Sequence, residues 1–475
     1  MGRILAYAQQ HDTHSDLVAW PEGARLPFMD HKLDAIIVPA SRSAANLDHA
    51  VTLARAAHCL LVLICSGRAL ADEITELLAA RSFDEAIVID MPRDYRHRFL
   101  DLSTTQVMQP YWPGGGRRYN GDLSTKRNIG LLLSRMLSWE RIFFLDDDIR
   151  DISYPDLLRT VAMVGPAFDA AGMRVASFPD NSIACHAHRH TGGHQDVFVT
   201  GAALAVNSEA LTSFFPDIYN EDWLFFYDSV REGRLASSGL MATQLLYDPF
   251  SDPERAAWQE FGDVMAEGMY GALHRASVPP MTAAYWRQFI RGRQQFLESI
   301  VDRRGEAPDD LREKIVAAVE SSMKSLARIE PEMCERFYRE WRSDLEWWRF
   351  TLRQVPRMTT PRSALAELGL LPTSTCLKGT GRFARPYPIV PETAPPGPVR
   401  IPCAPTTELV GAGIGAPQSE SIARRTGDTV PLPTVPPQPG KGRHRKAPDN
   451  SPFRRGLSLV TGPLASHAEA KGVLA

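Results

Sequence analysis

The chain has 475 residues, enough for two or three domains, and its 44% hydrophobic content is that of an ordinary soluble globular protein. A formal net charge of -3, from 53 basic and 56 acidic residues, gives no bulk electrostatic reason to expect nucleic acid or an anionic membrane as partner. Six cysteines without a CxxC pair suggest neither a disulfide framework nor a four-thiolate zinc site, and fit a reducing cytoplasm.

The opening MGRILAYAQQHD lacks the long apolar stretch of a signal peptide, and runs such as CLLVLIC are too short to cross a bilayer. A cytoplasmic protein with no transmembrane segment is therefore expected. From residue 34 apolar strands and amphipathic helices alternate: DAIIVPA, NLDHAVTLARAAH, CLLVLICSG, ALADEITELLAARS and EAIVID. That alternation implies βαβ units and a mostly parallel sheet with helices on its faces. Ligands bind such sheets outside the carboxyl ends of the strands, which points to the turns holding Ser41, Arg42, Ser66 and Asp90.

Next comes YWPGGGRRYNGD, a glycine-rich loop, then LSTKRNIGLLLSRML, where Ser124 or Thr125 is a plausible N-cap and a helix would begin at Lys126-Arg127-Asn128. Two cations and an amide at a helix start suit an anion such as a diphosphate. The strand RIFFL then delivers Asp146, Asp147 and Asp148 to the same edge. Three adjacent carboxylates need a counter-charge, and hard oxygen ligands suit Mg²⁺ or Mn²⁺; the alternative is a solvated acidic turn before a helix.

Pro155 marks a helix expected to run to about Ala171, with Gly172 at its end. Strands are expected at MRVASF and DVFVTGAALAV, separated by the polar insert PDNSIACHAHRHTGGHQ. Cys185 and the histidines to His194 include no CxxC pair, and this stretch reads as a polar loop near the site rim. FFPDIYNEDWLFFYD is a loop ending in Glu221 and Asp222 before an aromatic run. A carboxylate in a partly desolvated pocket can serve as general base, while Trp223 offers a ring face; the alternative makes the acids caps and the rings core. Gly201 in VTGAALAV permits close backbone approach. Residues 253–357 carry four helical patterns, and residues 358–475 hold just over half of the 36 prolines, a composition that predicts disorder.

The ordered set IIVPASR, LSTKRNIGL, FFLDDDI, VTGAALAV and NEDWLF, across residues 34–228, resembles nucleotide-diphospho-sugar glycosyltransferases of the GT-A fold, particularly family 2-like ones. The resemblance implies a Rossmann-like GT-A domain over residues 1–252, an α-helical extension over 253–357 and a Pro-rich tail over 358–475. It implies transfer of a sugar, a hexose in most such enzymes, from a nucleotide-diphosphate sugar, UDP- ahead of GDP-, to the hydroxyl of a soluble small-molecule or saccharide acceptor. Asp146-Asp147-Asp148 matches the DxD motif, so Asp148 would be the direct Mn²⁺ or Mg²⁺ ligand, with Asp146 beside the ribose or a metal-bound water. Ser41, Arg42, Ser66, Asp90, Lys126, Arg127, Asn128 and Asp147 would line the nucleotide side. Asp222 would be the base, Glu221 its partner, and Gly201 and Trp223 would lie beside the acceptor. His194 or His274 would be available as an extra metal ligand. Two alternatives stand beside this reading. One is a haloacid-dehalogenase-like phosphohydrolase, against which Arg150 occupies the place of a Thr or Val; the other is a GT-A-like domain that binds a sugar nucleotide without turnover.

Overall fold

Short runs of buried Ile, Val and Leu, too brief for helices and closed by turn residues, make the strands. In the computed structural model, which describes residues 14–20, 32–108, 122–175, 182–194, 198–275 and 277–383, four of them are parallel neighbours. These are β1 (Ala35–Ala40), β2 (Leu60–Cys65), β3 (Ala86–Asp90) and β4 (Arg141–Leu145), in the order β3-β2-β1-β4. With β5 (Ile149–Arg150), β6 (Ala170–Val175), β7 (Ala203–Asn207), β8 (Leu235–Gln244) and β9 (Ser374–Cys376), the sheet runs β5-β8-β6-β7-β4-β1-β2-β3-β9. Strands β1 to β4, β6 and β8 point one way, while β5, β7 and β9 run against them. The fold is α/β and GT-A-like.

Helices between the strands are α1 (Asp48–Ala56), α2 (Ala71–Ala80), α3 (Ser103–Met108), α4 (Leu123–Met136), α5 (Tyr154–Met163), α6 (Ile183–His190) and α7 (Glu221–Arg231). Alternate residues of each strand feed opposite faces. Along β1, Ala35 and Ile37 enter one core with α4, and Ile36, Val38 and Ala40 enter another with α1, α2 and α5. The first core continues into α8 (Pro253–Leu273), α9 (Ala283–Asp302), α10 (Arg312–Leu326) and α11 (Pro331–Gln354), through Val264, Trp286, Ile315 and Trp341. The helical extension thus shares a core with the sheet. No helix among the described residues is long and apolar enough to cross a membrane.

Several expectations are corrected. Helix α4 starts at Leu123, with Asp122 at its N-cap, so Lys126-Arg127-Asn128 lie a turn inside it and are buried. Helix α5 stops at Met163 because Gly165-Pro166 follows, and a residue preceding proline is steered out of helical geometry. Gly172 consequently lies inside β6. The polar insert contains α6, begun by Ser182, whose Oγ accepts from Cys185 N at 3.3 Å. Strand β7 starts only at Ala203, and β8, with small polar residues and a left-handed Gly239, carries no clear sequence pattern. Helix α12 (Pro361–Glu367) and β9 fall in the stretch assigned to the tail, where β9 pairs antiparallel with β3. The glycine-rich loop before α4, residues 176–181 and the chain beyond residue 383 lie outside the described residues.

Candidate active site

The β1 and β4 ends open into a cleft of about 530 Å³, closed on its other sides by the loop after α6, the start of α7, the end of β8 and the first turns of α8. Ser41, Arg42, Arg127, Asp146, Asp147, Asp148, Glu221, Asp222 and Trp223 all line it. Motifs about a hundred residues apart in sequence therefore meet at one site.

Two arginines neutralise the aspartate turn. Arg42 reaches Asp147 Oδ1 at 2.5 Å and Asp148 Oδ2 at 2.8 Å, and the Ser41 and Arg42 backbone N–H groups donate to Asp147 Oδ2 at 2.6 and 2.7 Å. Asp147 is thus committed to protein donors on both oxygens. Arg127, buried, spans two acids: Nη2 donates to Asp146 Oδ1 and Oδ2 at 2.9 and 3.0 Å, and Nη1 to Glu221 Oε1 at 2.5 Å. Its guanidinium also sits 5.4 Å from the centroid of the Phe215 ring. Burial pushes Asp146 up to about 6 against the pull of Arg127, and Glu221 up to about 8, with the neighbouring Asp222 adding to the rise. Asp222 is raised as well, chiefly by burial, although Gly201 N and Trp223 N donate to Oδ2 and Oδ1 at 2.6 and 2.9 Å.

Asn220 starts α7 from the left-handed region at φ 59°, which aims Glu221 and Asp222 into the cleft on the first helical turn. Gly201 explains itself at the same place. A Cβ there would lie 2.7 Å from Asp222 Cβ and 3.0 Å from Arg127 Nη1. Gly201→Ala should therefore lower stability by about 1–3 kcal/mol through overpacking, read from the urea midpoint. An unchanged midpoint would mean that the α7 start gives way freely.

Other sequence-predicted residues are placed differently. Lys126 is fully buried, its ammonium donating to Ala40 O (2.7 Å), Ser41 Oγ (2.8 Å) and Ser66 Oγ (2.7 Å) and pairing with Asp122 at 3.0 Å. It ties the β1 and β2 ends together. Asn128 clamps the Phe215 backbone in both directions at 2.8 Å, fixing the loop that leads to Glu221. Neither residue lines the cleft, nor do Ser66, Asp90, Gly201, His194 and His274. Instead His274 Nε2 lies 2.9 Å from His14 Nδ1. Trp223 packs edge-on or tilted against His14, Phe198 and Tyr270, with centroids 4.9 to 5.4 Å away.

Sequence reasoning missed Gln244 on β8 and Tyr247, Asp252, Arg255, Trp258 and Gln259 around the start of α8, all of which line the cleft. Helix α8 comes this close because residue 262 is glycine: a Cβ there would lie 2.2 Å from Tyr219 O. That glycine, inside an otherwise regular helical pattern, was the one signal available. Gln244 Nε2 donates to Asp148 Oδ2 at 3.2 Å, while its Oε1 is buried without a hydrogen-bond partner.

No family model matches the chain, and no curated protein matches it. Among solved structures it is similar to S. aureus TarS 1-349 in complex with UDP-GlcNAc, with 12% identity and a TM-score of 0.31, over 65% of this chain and 91% of that one. The assignment of the fold rests on strand order and direction.

Proposed function

We propose that this chain is a nucleotide-sugar glycosyltransferase that uses Mn²⁺ or Mg²⁺ to move a hexose onto the hydroxyl of an acceptor. The observation that carries this reading is the convergence of Asp146–Asp148, Arg42, Arg127 and Glu221-Asp222 in one cleft at the carboxyl ends of parallel strands. The donor set suits a hard divalent cation. The side-chain hydrogen bonds and ion pairs of Asp148 fall on Oδ2, and the buried, unpartnered Gln244 Oε1 sits beside it. Asp148, with Asp146 and Gln244 alongside, would hold the ion. When bound, it supplies positive charge to the diphosphate as the sugar departs.

The chain's own residues do the rest. Arg42, about two-fifths exposed, is free to turn from the aspartates toward the diphosphate. Arg127 keeps Asp146 and Glu221 apart in charge and fixed in place. Asp222, held by two backbone N–H groups, takes the acceptor hydroxyl proton as that oxygen bonds the anomeric carbon and the carbon–diphosphate bond breaks. Trp223 presents a ring edge or face to the acceptor.

The test is turnover of a panel of UDP- and GDP-sugars, UDP-sugars first, with Mn²⁺ and a range of hydroxyl acceptors, followed by mass spectrometry of products. Transfer or donor hydrolysis is expected with at least one donor; absence of binding to every nucleotide sugar sinks the reading. The raised carboxylates also set a pH profile. Acids with elevated pKa values are protonated below them, so kcat/KM should climb as pH rises through about 6 to 8. Glu221→Gln should remove the upper part of that limb. A wild-type limb near pH 4 would show that burial does not govern these groups.

A further inference from the structure

Left-handed backbone outside glycine falls at five places among the described residues. His58, Ser82 and Ser138 lie just past the ends of α1, α2 and α4, where a helix ordinarily closes that way, and Asp151 follows β5. Of the five, Asn220 alone stands at the start of a helix, at φ 59° and ψ 35°. Ser153, Ser182, Asp252 and Thr360 open α5, α6, α8 and α12 from extended backbone, each accepting a first-turn N–H on its own side chain. The Asn220 side chain makes no such bond. A residue held off its ordinary conformation persists where its surroundings over-determine it, and such places cluster at active sites.

Helix α8 supplies those surroundings. Asn220 Nδ2 donates to Asp263 Oδ1 at 3.0 Å, and Asp263 Oδ2 accepts from Arg293 Nη2 at 2.7 Å. Arg293, fully buried on α9, is fixed in turn by Glu260 at 2.8 and 3.1 Å. A second tie falls on the other side of the acid pair, where the hydroxyl of the buried Tyr270 donates to Trp223 O at 2.8 Å. Asp263 and Tyr270 lie about two turns apart on one face of α8, and the residues they hold, Asn220 and Trp223, flank Glu221 and Asp222. With Asn220 turned to α8, the first turn of α7 is capped from within. Trp223 N donates to Asp222 Oδ1, and Gly201 N donates to Oδ2. Where Asn220 starts the helix therefore sets where the Asp222 carboxylate lies.

We propose that Asp263 is a positioning residue for the acid pair: through Asn220 it holds the start of α7 in the left-handed conformation that aims Glu221 and Asp222 into the cleft. Arg293 and Glu260 fix Asp263, so the chain of contacts runs from α9 through α8 to the proposed base. That Asp222 acts as a base rests on the glycosyltransferase reading; the placement of its carboxylate does not. The Gly201 N–H, far from Asp263 in sequence and joined to α7 through Asp222 Oδ2, reports that placement.

Hydrogen exchange read by mass spectrometry on the full chain, wild type against Asn220→Gly and Asp263→Ala, needs no substrate. Exchange in the peptide carrying Gly201 is expected to quicken at least about fivefold in both variants, with peptides of β1, β2 and β4 unmoved. Unchanged protection at Gly201 in Asn220→Gly, or a rise no larger than that across β1, β2 and β4, overturns the proposal. Glycine suits φ 59° and Asn220 is half-buried, so this variant keeps the fold. It decides alone even if Asp263→Ala, which takes a carboxylate from the buried Arg293, does not fold. Turnover of the UDP-sugar that the chain uses gives the second reading. Asp263 does not line the cleft, so a loss in its variants comes through α7. Asn220→Gly and Asp263→Ala are expected to lower kcat about 10–100-fold with donor KM within about twofold. Asp263→Asn, whose amide oxygen still accepts from Asn220, is expected to lose less. Unchanged kcat in Asp263→Ala and Asn220→Gly overturns the positioning role. If wild type turns over no UDP-sugar, the failure falls on the transferase reading, and exchange at Gly201 still decides what Asp263 does.

Discussion

Under the proposed transferase reading, Asp148→Asn is expected to lower metal-dependent turnover of a UDP-sugar by roughly 10²–10³-fold, the scale on which losing one preorganised charge contact at a reacting centre acts. The substitution keeps the side-chain shape and removes the charge. Asp147 would remain held by Arg42 and two backbone N–H groups, so the turn itself should persist. Asp147 and Asp146 accept from protein donors on both side-chain oxygens, whereas among the described residues Asp148 keeps one side-chain oxygen without a protein donor, which makes it the principal proposed ligand, with Asp146 alongside. The check is steady-state turnover over a Mn²⁺ titration, with Mn²⁺ affinity measured separately without sugar. Weakened Mn²⁺ binding together with lost turnover is the expected pair. Wild-type activity in Asp148→Asn would remove Asp148 from the mechanism.

Arg127→Met destabilises the chain by about 3–5 kcal/mol, because Asp146 and Glu221 would then face one another, with Asp222 close by, without their shared cation. The long apolar side chain retains the packing on Phe215, so the loss reports charge rather than volume. Neutralising the partners in Arg127→Met/Asp146→Asn/Glu221→Gln should recover most of it, since a neutral cluster no longer needs a counter-charge. Urea unfolding midpoints of the two variants supply the comparison. If the single and triple variants unfold at the same midpoint, Arg127 is not the counter-charge of this cluster.

The four-strand parallel core was legible because its strands are buried on both faces and read as unbroken apolar runs. The four long helices of the extension were legible for a similar reason, since each carries a sustained 3.6-residue pattern. Local signals that compete were misread. Lys126-Arg127-Asn128 looked like a helix opening because Ser124 and Thr125 are good caps, yet Asp122 is the N-cap and Lys126 is buried against four oxygens. CHAHRH looked like an irregular polar stretch because histidine has little helix propensity, and Ser182 with packing on α8 and α10 decided otherwise.

Sequence by itself determined the alternation that makes the sheet, the strand ends that face a crevice, and the positions of the Asp146–Asp148 and Glu221-Asp222 acids along the chain. Only the tertiary structure decided that Arg42 and Arg127 answer those acids, that Lys126 is spent on strand ends, and that α8 supplies a wall with Arg255 and Trp258. The physical reason is range. Strand and helix periodicity is set by neighbours a few residues apart, whereas a buried charge is satisfied by whichever opposite charge the fold carries to it, here across 94 residues for Arg127 with Glu221 and 105 for Arg42 with Asp147.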